Sequence, residues 1–517
     1  MSRHKPGPGK NVTLTIDGRP VSVPEGTTIL EAARKAGVNI PTLCDHPALG
    51  RRAVCRLCVV ECDGGGKLKA ACANDVWEGA KVVTGSARIM SVRKTILELL
   101  LANHPQDCLN CIRGKKCELQ SLAAALGIRS APFRREAADN KPPEIAAETL
   151  VRDMAKCVKC GRCVEVCQEL QTVRAINTSR RGVNFEISTP YGEALAAGPC
   201  VYCGQCAAVC PVGAIYEYDQ TGEVWAALGN AERYVAAQVA PALRTALSGE
   251  LGPERGTITT GKMVSALKRL GFDRVFDAGF SAGVTIMEAS RELLDRIKNG
   301  GRLPMIAACS PGLLNFAETF YPDLSEHLSA CKSPRQFFGA LVKSWCPQAA
   351  GIDPAAITPV SIAPCLAKKF EARRRGAGIV LTTGELARMI KLAGIDFTNL
   401  PESPFDRPMG DFPPPGAGDG AAGALTEAAL RTVYEAFTGE TLAAVDFMEL
   451  PGGGIKQAEI DLKGTKVKAL VAGGLANVRA ILDLIRAGEC GAAFVEILSC
   501  PGGCETPPVR TRRYEKD

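Results

Sequence analysis

Two runs of four cysteines constrain this chain more than any other feature. Cys157-x2-Cys160-x2-Cys163-x3-Cys167 is followed by Cys200-x2-Cys203-x2-Cys206-x3-Cys210, with Pro211 directly after. A CxxC step lets two thiolates from one loop reach the same metal centre. The chain has 23 cysteines in 517 residues, most of them before residue 211. In a secreted chain that density would indicate disulfides. Here the N-terminus, MSRHKPGPGKNVTLTIDG, is charged and lacks an apolar signal-like core, and tight spacings in a large chain point to metal ligands. No apolar run reaches the ~18 residues of a membrane span. A net charge of +7 is small for this length, which argues against nucleic-acid binding or a membrane-surface anchor. The expectation is a cytoplasmic protein of roughly three to four domains.

The paired runs resemble the bacterial two-cluster ferredoxin repeat. That resemblance implies that three cysteines of each run hold one [4Fe–4S] cubane while the fourth crosses to the other. Cys157, Cys160, Cys163 and Cys210 would form one set, and Cys200, Cys203, Cys206 and Cys167 the other. Residues 168–199 read as an inserted loop.

Two more candidate centres precede the repeat. NVTLTIDGRPVSV reads as two strands joined by an Asp-Gly turn, and TILEAARKA as a helix. Cys44, Cys55, Cys58 and Cys72 follow. Four thiolates alone do not separate zinc from iron–sulfur, but the neighbouring cluster motifs favour iron–sulfur. Cys62 reads as a spare thiol. The spacing resembles the [2Fe–2S] domain that opens complex I large subunits and iron-only hydrogenases. Next comes a helical stretch, SVRKTILELLLAN, then His104-x3-Cys108-x2-Cys111-x5-Cys117. One imidazole with three thiolates suits zinc or a cubane. The spacing resembles the histidine-ligated [4Fe–4S] site of the same families. Four centres in this order read as a wire in series.

From about residue 230 strands alternate with helices. YVAAQVAP, RVFDAGF, PMIAACSPG, KVKALVAGG and AAFVEILSC read as strands. MVSALKRLG, TIMEASRELLDRIKNG and LANVRAILDLIRAG read as helices. This predicts α/β lobes whose sheets are covered by helices. VAGGLAN lacks a full dinucleotide fingerprint, so no nucleotide site is expected there. The Pro/Gly-rich residues 401–424 read as a loop. Cys309, Cys365, Cys500 and Cys504 sit at strand ends, where separate α/β units can converge on one site. An ordinary buried core cysteine is the alternative for each. The exposed Cys-Pro-Gly-Gly-Cys turn and the lysines beside Cys365 argue for reactive thiolates instead.

ACSPG, PCLAKKFE and EILSCPGGC resemble the three signature motifs of iron-only hydrogenases. SACKSP (residues 329–334), TTGELARMI (382–390) and EAALR (427–431) extend the resemblance over almost the whole chain. It implies a fold of mixed α+β and α/β domains: a β-grasp ferredoxin domain (residues 1–90), a histidine-ligated [4Fe–4S] domain (91–135), a two-[4Fe–4S] ferredoxin domain (145–222) and a two-lobed hydrogenase-like domain (228–510). It implies one [2Fe–2S] cluster, three accessory [4Fe–4S] clusters, and an H-cluster in which a cubane is bridged to a diiron unit. Cys365, Cys500 and Cys504 correspond to cubane ligands, with Cys504 bridging. Lys368 corresponds to a lysine that holds a cyanide ligand, and Cys309 to the proton-relay thiol. Glu292 and Ser329 correspond to members of the proton path.

The resemblance also exposes departures. A fourth cubane ligand falls on Ser310, a harder and weaker partner for iron than thiolate, so either Ser310 ligates or Cys309 takes that role and the relay thiol is lost. Leu313 replaces the motif's Trp, Ala363 and Leu498 replace methionines, Pro501 a common His, and Ala289 the outermost glutamate of the proton path. These changes cluster around the diiron unit. Two readings follow. One is a hydrogenase, 2H⁺ + 2e⁻ ⇌ H₂, exchanging electrons with ferredoxin or an NADH-oxidising flavoprotein subunit in a hetero-oligomer. The other is a non-catalytic homologue serving as an electron-transfer or sensing subunit of a larger redox complex. Cys331, Cys346 and Cys490 read as structural, although Cys331 lies in ACKSP and is a candidate neighbour of the terminal cubane.

Overall fold

The computed structural model describes residues 10–64, 66–133, 142–252, 254, 256–308, 310–376, 378–407, 421–500 and 502–503. Cys309 and Cys504 lie outside the described residues, as do Pro501 and most of the predicted loop, 408–420.

The strands Asn11–Ile16 and Arg19–Pro24 form the expected hairpin, with Asp17 and Gly18 at positive φ in its turn. Asn11–Ile16 also runs parallel to Lys81–Val83 in a five-stranded sheet. The helix Ile29–Lys35 covers that sheet, burying Ile29, Leu30, Ala32 and Ala33, and a Thr28–Glu31 capping box fixes its start. This is the β-grasp arrangement.

In the ferredoxin-like part the two cysteine runs have the same backbone. Lys159 and Tyr202 both have φ +54°, and Gly161 and Gly204 both have φ +76°. Each glycine opens a short helix, Arg162–Glu165 and Gln205–Val209. Residues 168–199 hold a small hairpin, Asn177–Ser179 with Glu186–Ser188, rather than a featureless loop.

The C-terminal part has two sheets. The first orders Arg274–Asp277, Tyr234–Val239, Ile357–Ile362 and Ile379–Leu381, all parallel. The second pairs Met305–Ala308, Phe494–Leu498 and Thr465–Gly473 in parallel, then adds Ile455–Leu462 and Met448–Glu449 antiparallel. RVFDAGF is not wholly a strand. It ends at Asp277, whose carboxylate accepts the Gly279 N–H at 2.9 Å and caps the helix Ala278–Asn299.

Although its fold is distinct, the cysteine-rich part is not a detached bead. One apolar core contains Cys163, Val201 and Cys206 together with Leu313, Phe316, Leu366 and Ile481. Arg479 clamps the junction: its guanidinium lies over Phe316 and Phe320 and donates to the Thr172 hydroxyl and carbonyl. No helix among the described residues is long and apolar enough to cross a membrane.

Candidate metal centres and terminal site

Cys44, Cys55, Cys58 and Cys72 come together. The Cys58 and Cys72 sulfurs are 3.3 Å apart, and the Cys55 N–H donates to Cys44 Sγ at 3.4 Å. Hydrogen bonds from the Cys55 and Cys72 side chains hold the Cys44 thiol well below the ordinary thiol range, which raises both partners in turn. Four sulfurs that share protons in this way are a donor set suited to soft metal centres. Buried Arg93 braces the loop by donating to the Leu57 and Val59 carbonyls. Cys62 takes no part in this set, and burial raises its thiol.

His104 is held by burial below its ordinary pKa, and its Nδ1 is buried with no hydrogen-bond partner among the described residues. A neutral imidazole nitrogen left in that state is available as a ligand. Cys117 lies at the start of the helix Glu118–Ala125, within electrostatic reach of Cys111 and Cys108.

Two small apolar cavities sit among the eight cysteines of the paired runs. Cys157, Cys160, Cys163 and Cys210 line one. Cys167, Cys200, Cys203 and Cys206 line the other. The left-handed residues turn amides onto sulfur: Lys159 N donates to Cys157 Sγ at 3.4 Å and Tyr202 N to Cys200 Sγ at 3.5 Å. Burial pushes these thiols up, Cys157 to about 11 and Cys200 to about 12. Cluster binding therefore has protons to displace.

The centres are not strung in a single line. Cys55, Cys117, Cys157 and Cys210 all border one apolar core built on Leu43, Leu97, Leu119 and Val212. Arg162, beside Cys163, donates to the Asp45 carbonyl next to Cys44 and forms an ion pair with Glu118 next to Cys117. On the other side, a methyl on Gly213 would lie 2.8 Å from Cys111 Sγ. The first and second centres both abut the Cys157/Cys210 set. The expected series is thus a fork, because sequence order does not fix spatial order.

The three C-terminal motifs leave the carboxyl ends of parallel strands. Met305–Ala308 and Phe494–Leu498 are neighbours, with Ala308 opposite Ile497. Their continuations therefore emerge side by side, and the Ser499 hydroxyl donates to Ser310 Oγ at 2.8 Å. Ile357–Ile362 delivers Cys365 from the other lobe. At Gly312 an added methyl would meet the Val201 carbonyl at 2.9 Å, Ala367 Cβ at 3.5 Å and Ser499 Oγ at 3.6 Å, so all three motifs meet the ferredoxin-like part there. Tyr202 stacks on Phe370 with ring centres 4.3 Å apart, and Asn315 donates to the Cys200 carbonyl. Gln205 Nε2 donates to Cys500 Sγ at 3.4 Å. Cys500 thus meets the Cys203–Cys206 turn, and Leu366, the residue after Cys365, packs on Gly204 of the same turn, an arrangement that fits a terminal cubane.

Lys368, in the helix Ala367–Arg375, is half-buried, and its ammonium has no hydrogen-bond partner among the described residues. Its neighbour Lys369, passed over in the sequence, is fully buried and pairs with Glu385 at 2.6 Å and the Tyr218 carbonyl at 2.7 Å. The Ser329 hydroxyl donates to Glu292 Oε2 at 2.6 Å, and Glu292 Oε1 pairs with Arg296. Ala289, one turn earlier, is buried and offers no polar atom beyond its backbone. The Cys331 sulfur donates to the Thr285 carbonyl, and burial with the charges of Glu292 and Glu288 raises it to about 11.

Fold and site together define a multi-cluster iron–sulfur protein of the oxidoreductase class. Residues 233–507 match the iron only hydrogenase large subunit, C-terminal domain, and the chain belongs to the iron-only hydrogenase family. Residues 9–87 match a 2Fe-2S iron-sulfur cluster binding domain, 93–132 the NADH-ubiquinone oxidoreductase-G iron-sulfur binding region, and 135–214 a 4Fe-4S dicluster domain. The NADP-reducing hydrogenase subunit HndD of Solidesulfovibrio fructosivorans is 42% identical over 95% of this chain and 87% of its own length. Iron hydrogenase 1 of Clostridium pasteurianum is 34% identical over 98% and 90% respectively. A solved structure of a variant of apo [FeFe]-hydrogenase HydA1 from Chlamydomonas reinhardtii superposes with a TM-score of 0.53 at 34% identity, covering 58% of this chain and 86% of that one.

Proposed function

We propose that this chain is the hydrogenase-type subunit of a cytoplasmic, NAD(P)-linked hetero-oligomer. Electrons pass between a flavoprotein partner or ferredoxin and the terminal site through one [2Fe–2S] and three [4Fe–4S] clusters. Cys44, Cys55, Cys58 and Cys72 hold the first, His104, Cys108, Cys111 and Cys117 the second, and the two crossed cysteine sets the third and fourth. The observation that carries the reading is the meeting of all three hydrogenase motifs on residues 201–206, at Val201, Gly204 and Gln205. The likeness to an NADP-reducing hydrogenase subunit over nearly the whole chain supports the type of partner.

When bound at such a site, the cofactor supplies the interconversion of H₂ with protons and electrons. The chain's own residues hold and orient it. Cys365, Cys500 and Cys504 are the terminal ligands, Lys368 offers a cation with no hydrogen-bond partner among the described residues, and Cys309 with Ser329 and Glu292 forms the proton route. One observation favours the second reading, a non-catalytic electron-transfer or sensing homologue. Ser310 replaces a thiolate ligand, and its oxygen already accepts the Ser499 hydroxyl. Infrared spectroscopy of protein matured with the diiron assembly machinery separates the two. CO and cyanide bands with H₂ uptake establish the enzyme. Intact accessory clusters without those bands establish the non-catalytic homologue.

A further inference from the structure

Gln205 reaches from between two cysteines of the ferredoxin-like part to a cysteine of the terminal site. It is 5% exposed. Its backbone adjoins Cys206, whose sulfur lines the second cavity. Its Nε2 donates to Cys500 Sγ at 3.4 Å, and its Oε1 is buried without a partner among the described residues. A buried glutamine with one unsatisfied end costs free energy that a leucine of similar size would not. Packing alone therefore does not explain the residue.

The turn that carries it is also held from both sides. A methyl on Gly204 would sit 2.3 Å from Leu366 Cδ1 and 3.0 Å from Leu366 Cβ, so backbone and motif are in direct contact there. The Tyr202–Phe370 stack locks the same turn from its other end. The amide is therefore fixed in place relative to Cys500.

We propose that Gln205 is a positioning residue that sets the reduction potential of the terminal cubane and carries the hydrogen-bonded link through which the adjacent cubane reduces it. This rests on the reading that Cys365 and Cys500 hold a cubane. An N–H dipole directed at a cysteinyl sulfur stabilises the more negative, reduced cluster, and so raises its potential. One electron leaves the cubane at Cys167, Cys200, Cys203 and Cys206, and one arrives at the terminal cubane. No bond is made or broken, and the amide proton stays on Gln205.

The test is an EPR-monitored redox titration of the reconstituted full-length protein, with the terminal cubane identified as the signal that Cys365→Ser removes. Gln205→Leu keeps the bulk and deletes the donor, and the midpoint of that signal alone moves to a lower value. Gln205→Glu replaces the donor with an acceptor, and the midpoint moves lower still. The [2Fe–2S] cluster, the histidine-ligated cluster and the cubane of Cys157, Cys160, Cys163 and Cys210 keep their potentials in both and report intact folding. If Gln205→Leu does not assemble, Gln205→Glu carries the test. Unchanged terminal potentials in the assembled variants, or equal shifts at every cluster, overturn the role of Gln205. A wild-type protein with no signal sensitive to Cys365→Ser overturns the terminal cubane itself, and this inference with it.

Discussion

Ser499 donates its hydroxyl to Ser310 Oγ at 2.8 Å, across the ends of two adjacent parallel strands. The bond places the residue before Cys500 against the position where the family has a cubane thiolate. A serine hydroxyl is a poor iron ligand, and this one already has a hydrogen-bond partner. Ser310→Ala is therefore expected to leave the iron content of the reconstituted protein unchanged. Ser310→Cys is expected to raise the yield of CO- and cyanide-bearing protein after maturation. Iron loss on Ser310→Ala would show that the oxygen is a ligand after all.

The crossed cavity linings predict a pattern of non-additivity. Cys157→Ser and Cys210→Ser each damage the same cubane, so the double variant loses no more iron than either single one. Cys167→Ser combined with Cys210→Ser damages two cubanes and loses twice as much. Iron and sulfide analysis with EPR spin counting checks this. Equal losses in the two double variants would refute the crossing.

Gly161 and Gly204 share φ +76° but face different neighbours. The nearest atoms a methyl at Gly161 would meet belong to the guanidinium of Arg52, the far end of a flexible side chain, at 2.6–2.9 Å. At Gly204 it would strike Leu366 down to its Cβ. Both alanine variants carry the cost of a left-handed residue, about 1 kcal/mol or more. Gly204→Ala adds overpacking of about 1–3 kcal/mol. Its melting temperature should fall further than that of Gly161→Ala, and a reversed order would contradict the close contact.

Lys369 and Glu385 form a buried ion pair between the helices Ala367–Arg375 and Thr383–Leu392. Lys369→Met leaves the Glu385 carboxylate buried without its cation, which costs about 3–5 kcal/mol. The double variant Lys369→Met/Glu385→Gln removes the stranded charge while its amide oxygen still accepts a backbone N–H from Thr382 or Gln220, and should recover part of that loss. Thermal melts of the three proteins provide the check.

Glu496 offers a pH test. Burial raises its carboxyl, and Thr426 donates both N–H and hydroxyl to Oε2. Because the folded pKa lies above the unfolded value, the folded state binds the proton more tightly. The associated stability is full below the ordinary carboxylate pKa and is lost as pH rises through the folded value. Glu496→Gln removes that titration while keeping an oxygen for Thr426. The variant should lose less stability than wild type between acid and neutral pH, as read from melting temperature against pH. Parallel curves would show that Glu496 does not titrate in that window.

Much of the fold was legible because its signals are local. The Asp-Gly hairpin, the helix in TILEAARKA and the alternation around residues 465–498 each follow from residues close in sequence. The cysteine sets were legible because a cluster demands fixed spacing. The fork at Cys157 and Cys210 was not, since it depends on how Arg162 reaches both Asp45 and Glu118. Gln205 was equally silent: in Cys-Gly-Gln-Cys any side chain satisfies the spacing, and only the docked lobes show what it touches. Lys369 was overshadowed by Lys368, because sequence does not tell which of two adjacent lysines faces inward. The roles of Cys309 and Cys504 rest on the resemblance, since both lie outside the described residues.

The core that joins Cys55, Cys117, Cys157 and Cys210 sets the first two candidate centres against one shared cysteine set. On the proposed reading, loss of the Cys44 set or of the His104 set would leave the other still packed against Cys157 and Cys210, whereas loss of that shared set would cut both off from the terminal site.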